Sequence, residues 1–436
     1  MHNQTEWKDH VTQFPNRRII TDNGDETVTV TKAQGEVIQQ GTPQSATNFN
    51  NVENGIQDAH TAFQVFLHYF MQFDRWIRQK VADLQMANFD LVNLALKATC
   101  PGNEIILDDK GLPSVMVRIP KFKISDVIDG GSDSVHPAFI VNSVEVPEIY
   151  ISKFQNVIHN GRAYSLPGED PTVNVNFDTA RRACEAKGPG WHLMTNAEWA
   201  AIALWCRKNN LMPKGNNNYG KDTSESTYIA IPNPNHQDGG RTSRVLTGTG
   251  PVTWSHNGEL NGIWDLNGNV WEWCGGYRTL GGEIHILPNN NAADPNNSQT
   301  SGSTLWRAIL EDGSLTDPGD DGTLKWDYVG STITLCKTIT NQANASRSTE
   351  FKNLGKAAEV SAVPEILKAL ALYPADNGDH GGDYFNMNNG AGLERLAHRG
   401  GYWSYGASAG VFYLNGSSRS LSNTFFGFRS AFIPGI

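Results

Sequence analysis

The residues of this chain best suited to chemistry are its five cysteines, its twelve histidines and its local acidic runs. Cys100, Cys184, Cys206, Cys274 and Cys336 are odd in number and widely spaced, so neither a CxxC zinc site nor a disulfide framework is indicated. Reduced, mostly buried thiols are expected instead. No HxxxH or HExxH pair occurs among the histidines. DPGDDG at 317–322 has carboxylates off the alternate spacing of an EF-hand and no Glu at the twelfth position, so it predicts a solvated turn. GTGP at 248–251 precedes no helix and makes no phosphate cradle. One stretch stands apart: GIWDLNGNVWEWCGGYR, 262–278, gathers three tryptophans and an Asn-Gly-Asn turn. Trp264, Trp271 and Trp273 are expected to be core.

The elements that must position these residues follow from periodicity. Residues 1–55 alternate apolar and polar and break at DNGD and QGTP, which predicts a small β-rich N-terminal region. From Ile56, steps of three and four land on Ala59, Phe63, Phe66, Phe70, Phe73, Ile77, Lys80, Leu84, Ala87, Leu91 and Leu94. Only Lys80 is not apolar, so 56–98 reads as a long helical coiled-coil stalk, and a homotrimer is the simplest assembly. Residues 99–148 return to short β-like runs and read as a connector. In 149–436, FDTARRACEAKGPG and TNAEWAAIALWCRKN predict helices, the second with Thr195 as N-cap and Glu198 closing a capping box. Residues 279–395 are Asn/Gly/Asp-rich and read as a polar surface insertion, with one helix near VPEILKALALY. The fold class is α+β.

Composition excludes several partners. A net charge of −10 without a basic run argues against nucleic acid. No run of 18 apolar residues exists, so no membrane insertion is expected. The opening MHNQTEWKDHVTQ lacks an apolar h-region, so no signal peptide is expected.

LNGNVWEW resembles the signature of the formylglycine-generating (sulfatase-modifying) family, a variant of the C-type lectin fold. EIYISKFQNVIHNGRAYS, the helix pair around 177–203, RGGYW and GFRSAF follow in that family's order. The resemblance implies a C-type lectin-like domain over 149–436. Oxidases of the family carry a cysteine pair shortly after RGGSW and after GFR; those places here hold Ser404, Tyr405 and Ser430, so the enzyme reading fails. The resemblance also implies a calcium ion on Asp265, Gly268, Val270 and Glu272, the middle two through carbonyls. Alternatively, Asp265 and Glu272 only hydrogen-bond the turn. No other cofactor is required.

The last 38 residues, 399–436, contain no Lys, Asp or Glu and are rich in Tyr, Phe, Ser and Gly. They resemble the variable region of diversity-generating retroelement target proteins of the phage major tropism determinant type. RGG, Trp403, Gly406, AGVF, Leu414, Arg419, Ser422, Asn423 and GFRSAF form a fixed frame. Tyr402, Ser404, Tyr405, Ser408, Tyr413, Ser417, Ser418, Leu421, Phe425 and Phe426 form the changeable ligand-binding set, each reachable from a codon ending in C. Tyr and Phe give large rigid contact area, and Ser adapts its hydrogen bonds. Phe412, Phe428 and Phe432 are expected in the core.

QGTPQSATNFNNVENGI resembles leader segments of phage tail-fibre proteins. The resemblances together imply a virion protein of a phage tail, attached to other tail proteins through 1–55. It would be trimerised by the stalk and bind a host-cell surface protein or glycan through its tip. The alternatives are a bacterial surface-displayed variable protein and the disfavoured oxidase.

Overall fold

The structure is a computed structural model that describes residues 8, 11–33, 35–39, 70, 73, 86–227 and 230–436. The chain divides into two units, Met1–Gln85 and Met86–Ile436. In the first, Arg18–Asp22 pairs antiparallel with Val28–Lys32 and Val11–Thr12 with Val37–Gln39. Strands therefore stand where alternation predicts them, and Ile19, Ile20, Val28, Val30 and Ile38 are exposed. Most of the expected stalk, 56–85, lies outside the described residues, apart from Phe70 and Phe73, both helical. Its end is the helix α1, Met86–Thr99, 14 residues and about 21 Å long. No long coiled-coil helix is present among the described residues.

The second unit runs from α1 through β1 (Asn103–Leu107), β2 (Pro113–Pro120), β3 (Glu148–Ser152), α2 (Phe177–Glu185), β4 (Trp191–Leu193) and α3 (Asn196–Lys208). It continues through β5 (Trp271–Leu280), β6 (Glu394–Gly400), β7 (Gly410–Ser417), β8 (Phe426–Phe428) and β9 (Ser430–Phe432). One antiparallel sheet has the order β4-β9-β3-β2-β1, with Ala431 opposite Ile151 and Ile151 opposite Val117. Residues 99–148 are therefore no connector. Their β-branched runs supply two strands of this sheet, and Val115, Met116 and Val117 are all buried. β3 shows the two-residue period directly: Ile149 and Ile151 join the main core, while Tyr150 packs on the other face with Trp191 and Phe432.

α2 starts at Asn176, whose side chain accepts from the Thr179 amide at 2.9 Å. α3 has the expected capping box of Thr195 and Glu198, and buries Trp199 to Leu204 continuously. It is thus a core helix rather than an amphipathic surface one.

The larger sheet centres on β5. β6 lies antiparallel to it, β7 antiparallel to β6, and β8 pairs with β5 in parallel, Trp271 opposite Phe426. The 279–395 stretch corrects the sequence reading. Its strands, including Glu283–Ile286, Lys325–Val329, Thr332–Cys336 and Tyr384–Met387, extend this sheet on both sides. Trp306, Trp326, Leu335 and Phe385 from the stretch are fully buried. They are spread so thinly among Asn, Gly and Asp loops that no period shows. Only Glu365–Ala369 of the helix expected there forms.

Candidate functional site

The turn entering β5 is made of left-handed residues: Asp265, Gly268 and Asn269 have φ of 63°, 79° and 60°. At Gly268 a Cβ would lie 2.1 Å from the Asn216 carbonyl oxygen, so only glycine fits. This backbone aims the carbonyls of Asp265, Gly268 and Val270 at one point. The Nε2 of Gln155 stands there, 3.1, 3.4 and 3.2 Å from them and 3.0 Å from Glu272 Oε1. Glu272 also accepts from Arg429 Nε and Nη2 at 2.6 and 2.7 Å. Asp265 accepts from the Gly248 amide at 2.8 Å through one oxygen, while the other is buried without a partner. Burial pushes its carboxyl up to about 6.

The four residues expected to hold calcium are thus brought together, but around an amide. Calcium–oxygen distances are about 2.3–2.6 Å, and the Glu272 charge is already balanced by Arg429. The residues present do not fit the ion.

Buried arginines hold the tail above this turn. Arg399, fully buried, donates to Asn196 Oδ1 at 2.7 Å and to the Ala371 and Leu370 carbonyls at 3.0 and 3.3 Å. It so ties β6 to α3, and burial brings its guanidinium down to about 10. Arg429 also donates to the Ser152 and Trp264 carbonyls at 2.9 and 3.0 Å. Half-buried Arg419 holds Glu394, Asp178 and the Gln299 carbonyl at 3.1, 3.0 and 2.7 Å. The loop between β6 and β7 rests on 216–223 through backbone bonds from Tyr219 to Trp403 and from Gly406 to Asn217, both 2.8 Å. Trp403 Nε1 reaches Asp238 at 3.1 Å.

On this frame the aromatic residues form two tiers. The inner tier is buried: Trp271, Trp273, His398, Tyr413 and Phe426, with Trp271 4.6 Å from Tyr413 and Trp273 stacked on Phe426 at 5.0 Å. The outer tier is half-buried: Tyr402 stacks on Phe425 at 4.5 Å and 13°, and meets Tyr405 edge-on at 4.6 Å. Leu421 packs beside them. Ser404, Ser408, Ser417 and Ser418 are also half-buried. Eight of the ten expected binding residues therefore reach the surface. Tyr413 and Phe426, 2% and 3% exposed, do not. On β7 and β8 the two-residue alternation turns them inward, where they fill the space above Trp271 and Trp273. Phe412 and Phe428 are core as expected, and Phe432 is half-buried.

Two arrangements here have the look of nucleophile chemistry. Ser417 Oγ lies 2.9 Å from His398 Nε2. Burial among Trp271, Trp273 and Phe426 brings that imidazole down to about 3, and its Nδ1 has no partner, so it is neither basic nor oriented by a carboxylate. Gly406-Ala-Ser408-Ala-Gly410 has nucleophile-elbow spacing. It forms a 3₁₀ turn leading into a strand, not a strand–turn–helix, and no imidazole bonds Ser408. Ser430, where family oxidases place a cysteine, is buried and bonded to Ser152 at 2.8 Å.

Sequence reasoning missed Gln155, Asn269 and His398. Nothing in their spacing marks them: the cage partners of Gln155 lie 110–117 residues away, Asn269 bonds Val245, Asn216 and Gln155 at separations of 24–114 residues, and His398 meets Ser417 across the β6–β7 strand pair.

The class this fold and tail define is a C-type lectin-like domain of the sulfatase-modifying type. Residues 92–300 match the family described as Sulfatase-modifying factor enzyme 1-like domain. Among solved structures, Treponema denticola variable protein 1 aligns at 12% identity over 77% of this chain and 100% of its own, with a TM-score of 0.28. PvdO from Pseudomonas aeruginosa aligns at 14% identity over 76% and 98%, TM-score 0.29. A Major Tropism Determinant, variant U1, aligns at 10% identity over 76% and 71%, TM-score 0.27. No curated protein matches the chain. Likenesses this distant leave the functional reading to the residues themselves.

Proposed function

We propose that this chain is a ligand-binding protein whose 399–436 face is diversified by a retroelement, and that it serves as the receptor-binding tip of a phage or prophage tail. The observation that carries the binding reading is the outer tier. Tyr402, Tyr405, Phe425 and Leu421, with Ser404, Ser408, Ser417 and Ser418, lie half-exposed on a frame held by Arg399, Arg419, Arg429 and Trp403. Rigid aromatic side chains with interspersed hydroxyls suit recognition of a changing protein or glycan surface. Catalysis is no part of the proposal, since neither serine arrangement has a competent base.

Assembly as a trimer is supported by α1, where the seam residue Leu94 is 63% exposed, and by the uncovered Ile19, Ile20, Val28 and Val30 of the N-terminal strands. Tail attachment through 1–55 and location in the virion belong to the same proposal. Several tips per fibre would strengthen weak binding by avidity.

The test is flow cytometry of the labelled full chain on candidate host cells. Tyr402→Ser with Phe425→Ser should abolish binding while the chain stays folded, its unfolding temperature lowered by only a few degrees, roughly 2–5 °C. Undiminished binding by that variant overturns the assigned face. At the locus, a near-copy of the bases encoding 399–436, with adenines in the codons of the changeable set, is expected; its absence removes the diversification.

A further inference from the structure

We infer that the carboxamide of Gln155 replaces a metal ion at the turn entering β5, so that this domain is organised by an internal amide and folds without calcium. A backbone donor of unambiguous identity sets the orientation of both amides. The backbone N–H of Val245 points at Asn269 Oδ1 at 2.9 Å, and Asn216 Nδ2 reaches the same oxygen at 3.1 Å. An N–H can only meet an acceptor there, so the Asn269 amide has one orientation. Its Nδ2 must then face Gln155 Oε1, 2.8 Å away. That contact fixes Gln155 in turn, with its NH₂ toward the cage and its oxygen toward Asn269.

The cage itself is built like a cation site. Three carbonyls and one carboxylate oxygen surround Gln155 Nε2 at 3.0–3.4 Å, and every residue involved is buried. Two features mark it as shaped for the amide. Its radius exceeds a calcium–oxygen distance by about 0.6–0.9 Å. The Glu272 carboxylate, which would offset a dication, is held bidentately by Arg429 at 2.6 and 2.7 Å, so its charge is already balanced. Gln155 lies just beyond β3, and Gly268 and Val270 lie just before β5. The amide therefore does what an ion would do: it ties the turn to the first sheet. Gln155 is a positioning residue for the tail, because Arg429 of the closing segment binds the same Glu272.

The experiment uses the full chain, dialysed against chelator. Its unfolding temperature is measured in excess EDTA and in millimolar calcium, and bound metal is quantified by atomic emission. Agreement between the two conditions within about 1 °C, with no stoichiometric metal, is expected. A native calcium site filled to a hundredfold of its dissociation constant would separate them by roughly 5 °C or more. Such a separation, or calcium retained after dialysis, overturns the inference. Gln155→Glu, the same shape with a further oxygen and no NH₂, should lower the unfolding temperature in EDTA by roughly 5 °C or more. Equality of that variant with the unaltered chain in EDTA also overturns it. If Gln155→Glu does not fold, as loss of the keystone allows, the unaltered chain still decides.

Discussion

Replacing Arg429 by Met removes a guanidinium that nothing else in the structure can substitute. Glu272, 1% exposed, is left as a buried carboxylate whose remaining side-chain donor is the neutral amide of Gln155. Breaking a buried pair from one side costs about 3–5 kcal/mol. The carbonyls of Ser152 and Trp264 lose their Arg429 donors at 2.9 and 3.0 Å, each adding about 1–2 kcal/mol. The sum, about 5–9 kcal/mol, is comparable to the whole stability of a typical domain, so Arg429→Met is expected to be largely unfolded at 25 °C. The double variant Arg429→Met, Glu272→Leu removes the uncompensated charge, leaving mainly the two carbonyls and the Gln155 amide to pay for. It should be more stable than the single variant by about 3 kcal/mol. The assay is urea unfolding followed by tryptophan fluorescence, compared at constant m. A single variant within about 1 kcal/mol of the unaltered chain, or a double variant no more stable than the single one, refutes the reasoning.

Further outcomes follow from the two tiers. Tyr413→Ala and Phe426→Ala empty space against Trp271 and Trp273 and should each cost about 3–5 kcal/mol in urea unfolding, whereas half-buried Phe425→Ala should cost clearly less. Ser417→Ala leaves His398 with no partner on either nitrogen and should cost about 1–2 kcal/mol, although Ser417 is at the surface. His398 stays neutral in the native state down to about pH 3, while the unfolded chain takes up its proton near pH 6.5. This imidazole therefore withdraws stability as pH falls below 6.5, by about 1.4 kcal/mol per pH unit until near 3. The stability curve of His398→Gln should be shallower by that slope, and parallel curves would contradict the shift. Gly268→Ala should fail to fold, since its Cβ meets the Asn216 carbonyl at 2.1 Å.

How much of this was legible in the sequence depends on the reach of each signal. The α3 capping box is local, three residues from Thr195 to Glu198, and the structure contains it. The tryptophans of 264–273 are core because large apolar residues clustered at a turn have few other places to go. The sheet strands within 279–395 were not legible, because they are short and bury successive residues, polar ones included, so no alternation shows: Glu283–Ile286 buries all four of its residues, Glu and His among them, and Lys325–Val329 buries Trp326 and Asp327 in succession. The oxygens expected to hold calcium converge, but on an amide, and for a definite reason. The residues that converge lie within eight positions of one another, but Gln155, which fills their centre, is separated from Glu272 by 117 positions. Spacing can show that oxygens converge; it cannot show what they converge upon. Tyr413 and Phe426 failed similarly, since composition reports that an aromatic is changeable in kind but not which side of a strand it faces.

A surface meant to change must not carry the bonds that hold it in place, and the tail largely meets that condition. The bonds that hold the tail run from Arg399, Arg419, Arg429 and Trp403, or through the backbone at Tyr219 and Gly406, and end on carbonyls, Asn196 or carboxylates. None needs the side chain of Tyr402, Ser404, Ser408 or Phe425, so replacing these alters the contact surface without loosening its frame. The exceptions define the limit. Tyr413 accepts from Asn386 at 3.1 Å and fills the inner tier, and Ser417 is the partner of His398. Substitution at either reaches the core. The tolerated range at these two positions should therefore be narrower than at Tyr402 or Ser404, and a library randomised over the ten positions, sorted only for folded protein, would measure it. Equal tolerance at all ten would mean that the inner tier repacks freely, and that the division into two tiers has no energetic content.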